Sequence, residues 1–169
     1  VYDCVKLFRK YGINDINFDL INGLPKQTVE IIKKNIDFSL LLKPSRIALF
    51  SYAHVNWMKK HMRLIDEKDL PSSQEKIAMY QAACLQLKQQ NYQSIGLDHF
   101  SLKNDSMTKA CINKTLKRNF QGYSTDQSEY IIGFGASAIS YLPNGYAQNS
   151  LDFEEYKKNI LSEKLPIKK

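Results

Sequence analysis

The side chains of this sequence best suited to chemistry are an acid, Asp19, two histidines, His54 and His99, and the amide and aromatic run Lys117-Arg118-Asn119-Phe120-Gln121-Gly122-Tyr123-Ser124-Thr125. That run stands between two glycine-punctuated segments, Gly96-Leu97-Asp98-His99-Phe100 and Gly133-Phe134-Gly135-Ala136-Ser137-Ala138, and the three together suggest a ligand wall. In Ile16-Asn17-Phe18-Asp19-Leu20-Ile21, alternation puts Ile16, Phe18 and Leu20 on one face and Asn17, Asp19 and Ile21 on the other. In a parallel α/β barrel the apolar face meets the helices and the other face lines the interior, so Asp19 is a candidate ligand contact. Its alternative duty is to accept backbone hydrogen bonds from the Asn22-Gly23 turn. Ala53 would line a wall, small enough to admit a flat group such as adenine. A strand-end histidine such as His54 or His99 can donate a proton or pair with an anionic group, or it can be an ordinary imidazole with one hydrogen bond. Asp98 and His99, as neighbours in a strand, are expected on opposite sides, which argues against a dyad.

Several tempting motifs lack a necessary part. Gly133 to Ala138 fits the dinucleotide fingerprint in its alanine-ended form, but that motif needs a helix next, to hold the pyrophosphate. Here Ile139-Ser140-Tyr141-Leu142 favours a strand, and Pro143-Asn144-Gly145 stops it. Arg118 to Tyr123 is like an RNA-recognition strand, except that it lacks a glycine directly after the basic residue and one further aromatic. The three cysteines, Cys4, Cys84 and Cys111, are too widely spaced for a disulfide framework or a tetrahedral metal knot, and are read as reduced thiols. No metal site is predicted. The net charge of +7 attracts anions, yet the lysines are dispersed, which favours a small anionic ligand over nucleic acid. No apolar stretch reaches the roughly 18 residues of a membrane span, and Val1-Tyr2-Asp3-Cys4 is unlike a signal peptide, so a cytoplasmic location is expected.

The elements that would position these residues follow from hydrophobic period. A helix fills the opening residues to Tyr11 and stops at Gly12. A strand over 16–21 leads through Asn22-Gly23-Leu24-Pro25 into a helix over about Thr28 to Leu42, with Val29, Ile32, Ile36 and Leu40 inward. Arg46 to Ala53 reads as an apolar strand covered on both sides, completing a βαβ unit. Ser72 and Glu75 stand at capping-box spacing before a long helix with the inner stripe Ile77, Tyr80, Cys84 and Leu87. Further strands are expected at Ser94 to Phe100, Tyr130 to Ile132 and Ala138 to Leu142, and a last helix from Asp152 to about Leu161. The class is α/β.

Seven segments carry a family resemblance: Asp19 to Thr28, Tyr52-Ala53-His54, Asp69-Leu70-Pro71, Gly96 to Phe100, Arg118 to Tyr123, Ser137 to Ser140, and Tyr146-Ala147-Gln148-Asn149. Together they resemble the oxygen-independent coproporphyrinogen III oxidases, radical S-adenosylmethionine enzymes of haem synthesis. The resemblance implies that Asp19 and Ala53 contact S-adenosylmethionine, that Ile139 packs on its adenine, and that Phe120 and Gln121 border a second adenosylmethionine or the porphyrinogen. Tyr52, His54, His99 and Arg118 become candidates for holding the substrate's propionates; no residue is assigned a catalytic role.

The same resemblance implies a [4Fe-4S] cluster in the parent enzyme, held by a Cys-x-x-x-Cys-x-x-Cys loop, and no two cysteines of this chain are close in sequence. The expectation is therefore a fragment, inactive alone, of a cytoplasmic enzyme that is monomeric at full length. Residues 1–91 would supply the last two strands of a (β/α) barrel, and 92–169 an accessory sheet and closing helix. Two other readings compete: a non-catalytic porphyrin- or haem-binding protein, and a nucleotide-binding module resting on Gly133 and Gly135.

Overall fold

The computed structural model describes residues 1–168, which fall into two compact units, Val1–Thr125 and the residues from Asp126 onward. In the first unit, α1 (Tyr2–Lys10), β1 (Asn17–Asn22), α2 (Val29–Leu41) and β2 (Arg46–Ser51) lie where hydrophobic period places them. Thr28 caps α2 by accepting a hydrogen bond from the Ile31 amide, and the chain leaves α1 through Gly12 at φ +81. β1 and β2 pair in parallel, with Asp19 level with Ala48. Their crossover is α2, which lays Ile32 and Ile36 on the sheet.

After β2, two short 3-10 turns lead to α3 (Ser73–Gln89). The Ser72–Glu75 capping box closes in both directions: the Glu75 amide donates to Ser72 Oγ, and the Ser72 amide donates to Glu75 Oε2 at 2.7 Å. The buried stripe of α3 is Met79, Ala83 and Leu87, with Tyr80 and Cys84 half-buried beside it. Ile77, expected inward, is 57% exposed. The helix thus turns a different side to the sheet than apolar count alone suggested, with Met79 and Ala83 inward.

The expected strand from Ser94 to Phe100 is instead a hairpin. β3 (Tyr92–Ser94) turns at Ile95 to Asp98 into β4 (His99–Leu102), which pairs antiparallel with both β3 and β2, giving the order β1-β2-β4-β3. The sheet therefore continues past residue 91, through β4, to residue 102. α4 (Ser106–Ile112) follows, capped by Asp105. Last in this unit is the hairpin β5 (Lys117–Asn119) and β6 (Gly122–Ser124).

Both α2 and α3 cover one face of the four-stranded sheet. There Ile32, Ile36, Ile47, Leu49, Met79, Ala83, Leu87, Tyr92 and Phe100 form the core, with Phe18 and Leu20 packed against it. Side chains alternate along strands, so the registers put Asn17, Asp19, Arg46, Ala48 and His99 on the opposite face, which carries neither helix.

The second unit holds the antiparallel pair β7 (Ile139–Leu142) and β8 (Gly145–Gln148), then α5 (Phe153–Leu161), capped by Asp152. Tyr130 to Ile132 forms no full strand; Ile131 makes a single bridge to Tyr141 before Gly133 turns the chain away. Among the described residues, no helix is long and apolar enough to cross a membrane.

Candidate functional site

Asp19 lies on the face opposite α2 and α3, and its carboxylate is exposed. The alternative duty proposed for it is performed by another residue. The Gly23 and Leu24 amides donate to Oε1 of the buried Gln27, at 2.6 and 3.1 Å, while Gln27 Nε2 donates to the Ile21 carbonyl at 3.0 Å. Gln27 thus satisfies the turn unaided, and the turn needs glycine at φ +90. Among the described residues Asp19 accepts only from Asn17 Nδ2, at 2.6 Å, and its other oxygen has no such partner there. The sequence had no signal for Gln27 except its place three residues after Leu24.

Past the end of β2 the ladder extends by one bond, from the Tyr52 amide to the Asn22 carbonyl at 2.7 Å. Exposed Ala53 follows, and the structure joins its two neighbours: Tyr52 OH and His54 Nδ1 are 3.3 Å apart. His54 Nε2 lies 3.7 Å from Glu67 Oε1, within ion-pair reach but too far for a hydrogen bond, and the nitrogen is buried with no such partner among the described residues. Glu67 is itself oriented by Asn56 Nδ2 at 2.9 Å. The imidazole thus lies between the Tyr52 hydroxyl and the Glu67 carboxylate.

Asp98 and His99 do form a pair, contrary to the strand argument: His99 Nδ1 is 2.6 Å from Asp98 Oδ1. The reason is that Asp98 belongs to the turn before β4, where alternation does not hold. The His99 ring is sandwiched edge-on between Phe50 (centroids 5.8 Å) and Tyr123 (5.2 Å). The same turn is gripped from the helix side by Tyr80, whose hydroxyl donates to the Leu97 carbonyl at 2.7 Å. Burial, with Cys84 alongside, pushes the Tyr80 phenol up to about 12, so it stays a donor throughout the physiological range.

Phe120 and Gln121 are the two-residue tip of the β5–β6 hairpin, with Gly122 at φ +120 and the Gln121 amide bonded to Asn119 Oδ1 at 2.8 Å. Arg118 is the cross-strand partner of Tyr123, its guanidinium 5.5 Å from the ring centroid. The structure thus brings His99, Tyr123 and Arg118 together within the first unit. Ile139, the first residue of β7, belongs to the second unit.

In that second unit the glycine motif has a structural job. The Gly133 amide donates to Ser140 Oγ (3.0 Å) and the Gly135 amide to Tyr156 OH (3.1 Å), while Asn149 Nδ2 donates to both glycine carbonyls. A Cβ at Gly133 would lie 2.7 Å from the Ile139 carbonyl oxygen. These amides are spent on side chains, and a strand follows rather than a helix, so the loop is not a pyrophosphate cradle.

An iron-sulfur cluster does not fit the thiols present. Cys4 is on α1 and Cys111 on α4, both exposed, while Cys84 on α3 has its thiol pushed up by burial, against the thiolate form a metal needs. Among the described residues no three or more His, Cys, Asp or Glu gather as metal ligands.

The architecture defines a class when compared with solved structures: the chain superposes on the radical SAM enzyme coproporphyrinogen III oxidase from Escherichia coli with a TM-score of 0.91 and 36% identity, over 96% of this chain and 38% of that one. As an α/β segment it is similar to part of that enzyme. Curated relatives agree: it is 47% identical over 165 residues to the oxygen-independent coproporphyrinogen III oxidase of Bradyrhizobium diazoefficiens, and 43% identical over 169 residues to that of Helicobacter pylori. The chain therefore corresponds, along its whole length, to a segment of the oxygen-independent coproporphyrinogen III oxidases. It spans 37% of the length of these two relatives. No family model matches it.

Proposed function

We propose that this chain is the ligand-positioning segment of an enzyme that oxidatively decarboxylates two propionates of coproporphyrinogen III to vinyl groups, giving protoporphyrinogen IX. In that reaction each propionate loses one hydrogen atom, carbon dioxide and one electron, which passes to an acceptor. The supporting observation is the open face of the sheet, where Asp19 has no structural duty to perform, within a segment so close in fold to a radical SAM enzyme.

Residues 1–91 would form the last two strands of the parent's (β/α) barrel. Residues 92–169 would be the accessory region, attached through β4. The free edge of β1 would pair with the preceding barrel strand, and Phe38 and Leu41, 69% and 74% exposed on α2, would be covered by that strand's helix. Asp19 and Ala53 would hold S-adenosylmethionine, and Phe120 and Gln121 would border a second adenosylmethionine or the porphyrinogen. Tyr52, His54, His99 and Arg118 would hold propionates. A [4Fe-4S] cluster, which the thiols of this chain do not fit, would be held by other parts of the parent and would supply the radical chemistry. The residues of this chain bind and orient, so the chain alone is expected to turn over no substrate. The parent would be a cytoplasmic monomer.

The test is an anaerobic assay of a full-length protein containing this segment, cluster-loaded and reduced, for carbon dioxide release from coproporphyrinogen III. Asp19→Asn should lower turnover at least tenfold with circular dichroism unchanged. Full turnover by the variant removes Asp19 from the site, and no turnover by the unaltered enzyme rejects the reading.

A further inference from the structure

Resting on that reading, we propose that Tyr123 and Gly96 are positioning residues that set the Arg118 guanidinium as a receptor for a carboxylate of the tetrapyrrole substrate. The β5–β6 hairpin is short, and a two-stranded hairpin of this size is marginal unless something anchors it. Tyr123 is one visible anchor. Its ring lies against the backbone at Gly96, so close that a Cβ there would fall 2.1 Å from the Tyr123 Cζ and 2.2 Å from its hydroxyl oxygen. Only glycine leaves that slot open. Inside it, the Tyr123 hydroxyl accepts a hydrogen bond from the Leu97 amide at 3.4 Å, and the ring meets His99 edge-on.

Arg118 is directly opposite Tyr123 across the hairpin, so the anchored ring also fixes the cation above it at 5.5 Å. Asp98, the nearest acid of the turn, is engaged by His99. Among the described residues Arg118 forms no ion pair and donates no hydrogen bond, so its five N–H donors are unspent. A guanidinium held over a ring while its N–H donors stay free can take a carboxylate through two parallel hydrogen bonds. Phe120 and Gln121, at the tip of the same hairpin, would then meet the body of the ligand whose carboxylate Arg118 holds.

The test is a fluorescence titration of the 169-residue chain with coproporphyrin III, which has the four propionates, and with its tetramethyl ester, which has none free. The unaltered chain should prefer the acid at least tenfold. Tyr123→Phe keeps the ring and should bind within about twofold of it. Tyr123→Leu removes the platform, Gly96→Ala displaces the ring, and Arg118→Lys keeps the charge but loses the fork. Each of these three should cost about tenfold for the acid and leave the ester unaffected, with circular dichroism checking the fold. Acid binding unchanged in Tyr123→Leu and Arg118→Lys overturns the inference while leaving the broader reading intact. A fall for acid and ester alike overturns it too, since that marks a structural role. If the unaltered chain binds no coproporphyrin, the inference falls, and the enzyme assay above decides the reading separately.

Discussion

The two faces of the four-stranded sheet are built on different principles. One is an apolar surface sealed by α2 and α3, where Ile32, Ile36, Ile47, Leu49 and Leu87 are almost wholly removed from water. The other carries Asn17, Asp19, Arg46 and His99, tied by local pairs: Asn17 to Asp19, Arg46 to Asp105, and His99 to Asp98. Stability is concentrated on the first face, where buried area is large, while the second keeps polar groups in fixed directions at little energetic gain. A site can be built on the second, where Asp19 keeps a carboxylate oxygen that the fold has not consumed.

Substitutions can break or sharpen that contrast. Ile36→Ala on the sealed face should cost about 2–5 kcal/mol in urea unfolding, whereas Phe50→Ala on the open face should cost about 1 kcal/mol. Equal costs would dissolve the distinction. Asp105 is the open face's structural exception: its buried carboxylate accepts from Arg46 Nε at 3.0 Å and caps α4 through the Met107 amide at 2.7 Å. Asp105→Ala should therefore cost roughly 3 kcal/mol by the same measurement.

Gln27 and Asp19 form a sharper pair. Gln27→Ala leaves two turn amides without their acceptor and should cost about 1–3 kcal/mol, whereas Asp19→Ala should leave the unfolding midpoint within about 0.5 kcal/mol. If Asp19→Ala were the more damaging, the acid would be structural after all. The smallest effect concerns pH. The Ser72 hydroxyl and amide hold the Glu75 carboxyl below its ordinary value of 4.5. A pKa lower in the folded than in the unfolded chain stabilises above 4.5 and loses that contribution as pH falls through the folded value. Glu75→Gln should flatten the stability profile below about pH 4.5, measured by thermal melts in acid buffers.

Legibility divided along the same line as the two faces. The alternation in β1, the run in β2, the stripe of α2 and the Ser72 cap were readable because each depends on residues within one or two turns of one another. The orientation of α3 was not, since Met79 and Ile77 are both apolar and only the assembled core shows Met79 inside and Ile77 outside. The β3–β4 hairpin hid inside a run that looked like a single strand. Its turn is held by Tyr80 and Tyr123, which lie 17 and 26 residues from Leu97.

For the candidate site, the sequence by itself determined which residue types were available and that Asp19 stood opposite the apolar face. Alternation along a strand is a local rule, and it held wherever the strand did. Tertiary structure alone decided that Gln27 relieves Asp19 of the turn, that Asp98 reaches His99, and that Gly96 leaves room for Tyr123 beneath Arg118. Those arrangements depend on where backbones approach within a few ångströms, and close approach between distant segments leaves no periodic trace in the chain.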